Sequence, residues 1–286
     1  EIQNYLTKKF QAKNIIISTG ATQRQLPGIN IDHKVVMTSR DALESPIVPE
    51  RIVIVGGGAT GVEFAHIYNT YGAQVKIIEL MSRIIPSEDL DISKNLERSF
   101  KSKGIEIVTD CKVNDIKVDN EIATLSLTKD GVDSIIECDR VLVSVGMQGN
   151  IGDIGIESVG LNIDKDFILV DENMKTNISN IYAIGDVTGK MLLAHVASAQ
   201  AIIAVETIAG LDPDVIDYND MPRAIYCEPQ VASFGISEDD AVARGLNVKI
   251  GKFPFSASGK ALALAEHKGV CKLIVDNDTD ELLGAH

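Results

Sequence analysis

Between residues 52 and 79 the spacing of apolar residues changes twice. Ile52 to Val55 is a short run of β-branched residues, as expected of a buried parallel strand. Apolar residues then recur at helical spacing from Phe64 to Tyr71. A second apolar strand runs from Val75 to Ile78 and ends at Glu79. The pattern predicts a strand, a helix and a second strand that closes on an acid.

A glycine-rich turn separates the first of these strands from the helix. Gly56, Gly58 and Gly61 give the spacing G-x-G-x-x-G. Such glycines permit a tight bend, close approach of a diphosphate and close helix packing, and the helix N-terminus attracts the diphosphate. Glu79 follows 18 positions after Gly61; it can accept hydrogen bonds from both ribose hydroxyls and would repel a 2′-phosphate. These features predict an NAD site, with plain turn glycines as the alternative.

Three further apolar strands end in glycine. Lys13 to Gly20 has no strand–helix unit before it, so it must pair with a later strand or with a segment outside the chain. Arg140 to Gly146 follows the same plan. Asn180 to Asp186 is followed by an apolar helix from about Ala194 to Ala209. At the end of its strand, Asp186 either binds the hydroxyl groups of a ligand or caps the helix.

Period-two alternation marks two antiparallel regions. Residues 111–137 predict a meander that lies on the parallel sheet, whereas residues 21–50 show little periodicity and indicate a connection. Alternation returns in residues 221–286, with one short helix starting at Ser237. The sequence stops at His286, at or within a strand. We therefore expect both ends of the chain to be cut.

Composition limits the classes of function. A length of 286 residues suggests about two domains. The net charge of −14 argues against nucleic acid and anionic membranes as partners, and no apolar run is long enough to span a bilayer. The four cysteines form neither C-x-x-C nor C-x-x-x-x-C, so we predict no metal site and reduced thiols in a cytoplasmic protein without a signal peptide.

The sequence resembles the flavin-dependent pyridine nucleotide–disulfide oxidoreductases, and among them the members that oxidise dihydrolipoamide. The resemblance extends over essentially the whole chain. Besides the strand ending at Glu79, it is carried by IIISTGA (15–21), GGGATGVEFA (56–65), EDLDIS (88–93), AIGD (183–186), LLAH (192–195), YCEPQVASFG (226–235) and FPFSASGKA (253–261).

This resemblance implies an α/β fold in which a Rossmann-like NAD-binding domain is flanked by parts of an FAD-binding domain and followed by a truncated α+β dimerisation domain. The implied divisions are residues 1–50 (end of the first FAD-binding segment), 51–147 (NAD-binding domain), 148–218 (central FAD-binding segment) and 219–286 (first half of the dimerisation domain).

The resemblance also implies the cofactor contacts. Those implied for FAD are Thr19, Gly20, Ala21, Asp186, Leu192, Leu193, Ala194 and His195. Those implied for NAD are Gly56, Gly57, Gly58, Ala59, Thr60, Gly61, Val62, Glu63, Glu79, Val113 and Gly146. Glu63 would lie near nicotinamide and flavin, although the helix dipole alone also favours an acid in a first turn. His195 would contact cofactor largely through its backbone, so we do not predict it as a base.

The enzyme implied by the resemblance oxidises protein-bound dihydrolipoamide and reduces NAD⁺ through a redox disulfide and FAD. Its implied partners are a second identical subunit and the lipoyl domain of a 2-oxoacid dehydrogenase or glycine cleavage complex. The 286 residues contain no C-x-x-x-x-C, no H-P-T-x-x-E and no second glycine fingerprint before residue 51. We therefore expect an internal portion that binds NAD, binds FAD poorly if at all, and has no catalytic residues or lipoamide turnover of its own.

Two alternatives stay open at this point. A mercuric or glutathione-type reductase is one, although those generally prefer NADP, and Glu79 together with FSASGKA weighs against them. The other is a non-catalytic module that uses the same fold to sense NAD, which fold alone does not exclude.

Overall fold

The structure, a computed structural model, describes residues 10–286. The chain divides into two compact units, one formed by residues up to 22 with 147–218 and the other by residues 23–146 with 219–286. The second unit takes in residues 23–50, which the sequence analysis grouped with the preceding segment. Within residues 10–286, no helix combines the length and apolarity needed to cross a bilayer.

A parallel sheet of five strands forms the centre of the second unit. Its strands are β3 (Val36–Met37), β4 (Arg51–Val55), β5 (Gln74–Ile78), β6 (Glu106–Val108) and β10 (Arg140–Val143). They lie in the order β3-β10-β4-β5-β6, and all neighbours are parallel. The continuous β-branched runs of β4 and β5 suit this arrangement, because both faces of the sheet are covered.

Helices cover one face of this sheet and a meander covers the other. The helices are α1 (Ser39–Glu44), α2 (Ala59–Thr70) and α3 (Leu90–Ser102), and the antiparallel meander is β7 (Cys111–Asp119), β8 (Ile122–Lys129) and β9 (Val132–Cys138). Apolar side chains of α2 and α3 pack with Ile52 and Ile54, whereas those of the meander pack with Val53 and Val55. The predicted strand–helix–strand and meander are confirmed, but β3 and α1 were missed because two to six residues carry little periodicity.

The last part of the second unit is an antiparallel sheet. Its elements are β15 (Arg223–Ile225), β16 (Val231–Gly235), α6 (Glu238–Ala243), β17 (Val248–Pro254), α7 (Gly259–Ala263), β18 (Val270–Asp276) and β19 (Leu282–Ala285). The strand order is β15-β16-β19-β18-β17. Ser237 caps α6 in a capping box with Asp240, which confirms the predicted helix start. Helix α7 was not predicted, as its GKALA sequence is too short to show a period.

The first unit contains short strands and one long helix. Its elements are β1 (Ile15–Ile17), β2 (Ala21–Gln23), β11 (Met147–Gly149), α4 (Ile156–Val159), β12 (Ile163–Asp164), β13 (Phe167–Ile168), β14 (Ile181–Ala183), a 3₁₀ turn (Gly185–Thr188) and α5 (Ala194–Ile208). Strand β1 pairs in parallel with β14, with Ile16 opposite Tyr182. The strand predicted to need a later partner thus finds one, and α5 begins at the predicted residue.

Candidate functional site

A cavity of about 410 Å³ opens at the carboxyl ends of the parallel strands in the second unit. Gly56 follows β4, Glu79 follows β5 and Ser144 follows β10, and all three line the cavity. Strands β5 and β6 succeed β4 on one side, whereas β10 lies on its other side. The strand order therefore reverses beside β4, and ligands of open α/β sheets bind at such a reversal.

The three fingerprint glycines are required for different reasons. Gly56 has φ +107°, and a Cβ there would lie 2.4 Å from the carbonyl oxygen of Ser144. A Cβ at Gly61 would lie 1.9 Å from the carbonyl oxygen of Gly56. At Gly58, by contrast, no atom lies within 4 Å of such a Cβ. Two glycines are thus fixed by packing of the turn, and the third leaves open space where a diphosphate can approach.

The N-terminus of α2 points its first-turn amides towards this turn. Gly58 is the N-cap and supplies no side-chain hydrogen bond, while its carbonyl accepts from Val62 at 3.0 Å. Ala59, Thr60 and Gly61 complete the first turn. An uncapped helix N-terminus offers N–H groups and the positive end of the helix dipole to an anion.

Glu79 is held beside the glycine turn. The residue is only 7% exposed. Its Oε2 accepts the N–H of Gly57 at 2.5 Å, and its Oε1 accepts the N–H of Met81 at 2.7 Å. These donors compensate the buried charge, and a carboxylate has further lone pairs for the adjacent hydroxyls of a ribose. The position fits NAD better than NADP, because a 2′-phosphate would bring a second negative charge against the carboxylate.

The remaining residues predicted for NAD fall into two groups. Val113 and Gly146 line the same cavity as Glu79. Glu63 lies in the first turns of α2, where its Oε1 accepts the N–H of Tyr226 at 2.8 Å. Its contact with a cofactor stays a prediction, since the carboxylate already links the nucleotide-binding part of the unit to the antiparallel part.

Sequence reasoning missed Ser144 in this site. Its hydroxyl lies 3.1 Å from the carbonyl oxygen of Val55 and 3.0 Å from that of Gly56, so it fastens β10 to the glycine turn. The available signal was a small polar residue in an apolar strand, two positions before Gly146.

A second cavity, of about 310 Å³, lies within the first unit. Gly20, Asp186, Leu192 and Ala194 are among its lining residues. Burial raises the pKa of Asp186, and within residues 10–286 no hydrogen bond reaches its carboxylate. An uncompensated, partly buried acid suits a ligand that donates hydroxyl groups.

The other residues predicted for FAD surround this cavity or its neighbourhood. Thr19 Oγ1 donates to the carbonyl of Asn150 at 2.7 Å, and Ala21 begins β2. Leu193 is the N-cap of α5 and supplies no side-chain cap, so this helix also presents open first-turn amides. His195 is exposed in that first turn.

Gln200 supports this second cavity and was not predicted. It is fully buried on α5, its Oε1 accepts the N–H of Gly185 at 2.6 Å, and its Nε2 donates to the hydroxyl of Tyr218 at 3.0 Å. A buried amide in an otherwise apolar helix was the signal, because such a group must be hydrogen-bonded.

All four cysteines are free thiols. Cys111 lies in the wall of the first cavity, which Glu79 also lines, and burial raises the pKa of its thiol. Burial also raises the pKa of Cys138 to about 11 and that of Cys227 to about 12. These three thiols therefore stay protonated at neutral pH, which makes them poor nucleophiles.

Two cavities at strand ends, the first beside a glycine turn and a buried acid, are typical of a dinucleotide-dependent oxidoreductase fold. A family model described as pyridine nucleotide-disulphide oxidoreductase matches residues 3–201. The dimerisation domain of the same family matches residues 221–286. The chain belongs to the pyridine nucleotide-disulphide oxidoreductases, which use FAD and a pyridine nucleotide.

Within this family, the chain is similar to several dihydrolipoyl dehydrogenases and to a solved flavoprotein disulfide reductase. The dihydrolipoyl dehydrogenase of Bacillus subtilis is 45% identical over 276 residues, covering 96% of this chain and 58% of its own length. That of Mycobacterium leprae is 41% identical over 280 residues, covering 97% and 60%. The solved flavoprotein disulfide reductase RclA from Escherichia coli is 27% identical with a TM-score of 0.87, covering 96% of this chain and 62% of that one. The chain thus spans about three fifths of the length of these relatives.

Proposed function

We propose that this chain is the nucleotide-binding portion of a dihydrolipoyl dehydrogenase, with its own site for NAD and part of the site for FAD. The single observation that carries the proposal is the buried Glu79 carboxylate beside Gly57, at the sheet's switch point. Glycine turn, open helix N-terminus and ribose-binding acid occur together there, in a chain 45% identical to a dihydrolipoyl dehydrogenase over 276 residues.

In this proposal each group has a defined task. The first-turn amides of α2 bind the diphosphate, Glu79 accepts from the ribose hydroxyls, and Ser144 keeps the glycine turn in place. In the first unit, Asp186 accepts hydroxyl groups of FAD, and the N-terminus of α5 stabilises negative charge on the flavin side. When bound, the two cofactors supply hydride transfer.

We extend the proposal to the partners of the whole protein. We assign it a homodimer built through residues 221–286, which match the dimerisation domain, and the lipoyl domain of a 2-oxoacid dehydrogenase or glycine cleavage complex as the source of electrons. Four free thiols, three of them buried, support a reducing, cytoplasmic location. NADP-dependent sibling reductases are disfavoured by Glu79.

The proposal is tested with the full-length protein to which this chain is assigned. It should form NADH from dihydrolipoamide and NAD⁺, whereas the 286-residue chain, which has no C-x-x-x-x-C, should form none. Glu79→Gln should raise KM for NAD⁺ about tenfold with little change in kcat, because it weakens ground-state and transition-state binding alike.

Glu106→Gln is the matched control, as Glu106 begins the neighbouring strand β6, pairs with Lys76 at 2.8 Å and is not among the residues that line the cavity beside Glu79. Its KM should match that of the unmodified protein. A full-length protein that forms no NADH from dihydrolipoamide, or a 286-residue chain that does form it, would refute the proposal.

A further inference from the structure

The segment that joins β5 to α3, residues 80–89 and here called the bridging segment, forms part of the wall of the cavity beside Glu79. The lining residues that it supplies are Leu80, Met81 and Pro86. Met81 donates its N–H to Glu79 at 2.7 Å, and Ile85 donates its N–H to the carbonyl of Gly57 at 2.7 Å. The position of this segment therefore determines the positions of the Glu79 carboxylate and of the glycine turn at Gly57.

Ile85 adopts a backbone conformation that a β-branched residue rarely takes. Its φ is +40° and its side chain is fully buried. Such a conformation persists only where the surrounding contacts impose it. One of these contacts comes from α3, since the buried hydroxyl of Ser93 donates to the carbonyl of Ile84 at 2.7 Å. The strained residue is thus tied to the start of α3.

The start of α3 is in turn held by Lys272 of β18, which is 1% exposed. Lys272 Nζ lies 2.8 Å from both carboxylate oxygens of Asp89, the N-cap of α3. It also lies 2.7 Å from Asp91 Oδ2 and 2.6 Å from Glu238 Oε2. Three carboxylates thus satisfy the three N–H donors of one buried ammonium.

The ion pairs between Lys272 and its carboxylate partners are stable in their charged form. Burial opposes the charge on Lys272, but the hydrogen-bonded carboxylates outweigh it and raise the pKa of the ammonium. Hydrogen bonds from Lys252 and Lys272 lower the pKa of Asp91 to about 2. Without Lys272, the almost fully buried Asp89 would be left without its cation, which strongly destabilises the ionised acid.

Further contacts join the antiparallel part to the bridging segment. The hydroxyl of Ser233 on β16 donates to Oε2 of the buried Glu88 at 2.6 Å. Arg83 contacts Asp239 of α6 at 3.4 Å. Residues of the antiparallel part therefore contact the bridging segment at several points, of which the Lys272–Asp89 pair is the most buried.

We propose that Lys272 is a positioning residue for nucleotide binding, acting from the antiparallel sheet through Asp89 and the bridging segment on Gly57 and Glu79. This inference rests on the proposed NAD site and adds to it a residue 193 positions beyond Glu79 in the sequence (272 minus 79). The dimerisation domain would then set the affinity of the nucleotide site within its own chain.

The test compares Lys272→Met with Lys252→Met in the 286-residue chain. Lys252 pairs with the same Asp91 at 2.7 Å and with Glu238 at 3.9 Å, but its side chain is 47% exposed. In Lys272→Met, hydrogen exchange at the Ile85 amide should rise about tenfold, and Kd for NAD⁺ should rise about tenfold. Lys252→Met should leave both within about twofold.

The amide of Leu125, in the meander, separates local loosening from general destabilisation. Its exchange should stay within about twofold in Lys272→Met. Equal rises at Ile85 and Leu125, or no rise at Ile85, would overturn the inference. Asp89→Asn, which retains an N-cap, should give the same pattern in a milder form if Lys272→Met does not fold.

Failure of the proposed function gives a different result. If the unmodified chain takes up no NAD⁺, the nucleotide proposal fails and so does the link from Lys272 to affinity. Exchange at Ile85 would then still show whether Lys272 fixes the bridging segment.

Discussion

Gly58 and Gly61 stand in one turn, yet a methyl group has opposite consequences at the two positions. At Gly61 it would collide with the carbonyl of Gly56, whereas at Gly58 it would enter open space. Sequence spacing predicts both glycines but not this difference, which depends on how closely α2 approaches the backbone of Gly56 at the end of β4. At the residue scale the site is therefore defined by backbone approach as much as by side chains.

Gly61→Ala should destabilise the chain by about 1–3 kcal/mol, because the turn or helix must shift to admit the methyl group. Gly58→Ala should leave the free energy of unfolding nearly unchanged while raising Kd for NAD⁺ at least about tenfold, since its methyl group occupies the space for the diphosphate. Urea unfolding and NAD⁺ titration of both variants measure the two effects. Equal loss of stability in both variants would contradict this division of tasks.

Among the secondary-structure elements, the ends of strands and the first turns of helices supply the groups that line the two cavities. Glu79 follows β5, Ser144 follows β10, and the first turns of α2 and α5 face the two cavities without side-chain caps. After β14, Asp186 occupies the corresponding place in the first unit. Its carboxylate has no compensating partner among residues 10–286, so its ionisation costs stability in the unliganded fold.

Asp186→Asn should therefore stabilise the unliganded chain by about 0.5–2 kcal/mol at pH 7. Burial raises the pKa of Asp186 above its ordinary 3.8, so the folded state binds the proton more tightly and ionisation costs stability as pH rises through that raised pKa. Below pH 3.8 both states are protonated and the gain should vanish.

Urea unfolding at pH 7 and at pH 3 measures this difference. Asp164→Asn is the matched control, because Asp164 is exposed in the same unit and should give no gain at either pH. An Asp186→Asn chain no more stable than its parent at pH 7 would show that the carboxylate is compensated in solution.

Periodicity and glycine spacing predicted β4, α2, β5, the meander and the antiparallel sheet, because each is specified by neighbouring residues. Contacts between distant residues were beyond that reasoning. Strand β3 has two residues and pairs with β10 about a hundred positions later, while Lys272 and Asp89 are 183 positions apart. Neither leaves a local pattern, and the positive φ of Ile85 arises only from its surroundings.

The whole molecule contains two units, and each has a cavity at the ends of its strands. The more complete site lies in the second unit, where turn, helix and acid all belong to one continuous stretch from β4 to β5. We therefore expect this stretch to bind NAD and to reject NADP, because Glu79 would meet the adenosine ribose.

Calorimetric titration of the 286-residue chain with NAD⁺ and with NADP⁺ measures this preference. We expect one NAD⁺ bound per chain and a Kd for NADP⁺ at least about tenfold higher, since the 2′-phosphate would face a buried carboxylate. No saturable binding of NAD⁺, or binding of NADP⁺ with equal or lower Kd, would contradict it.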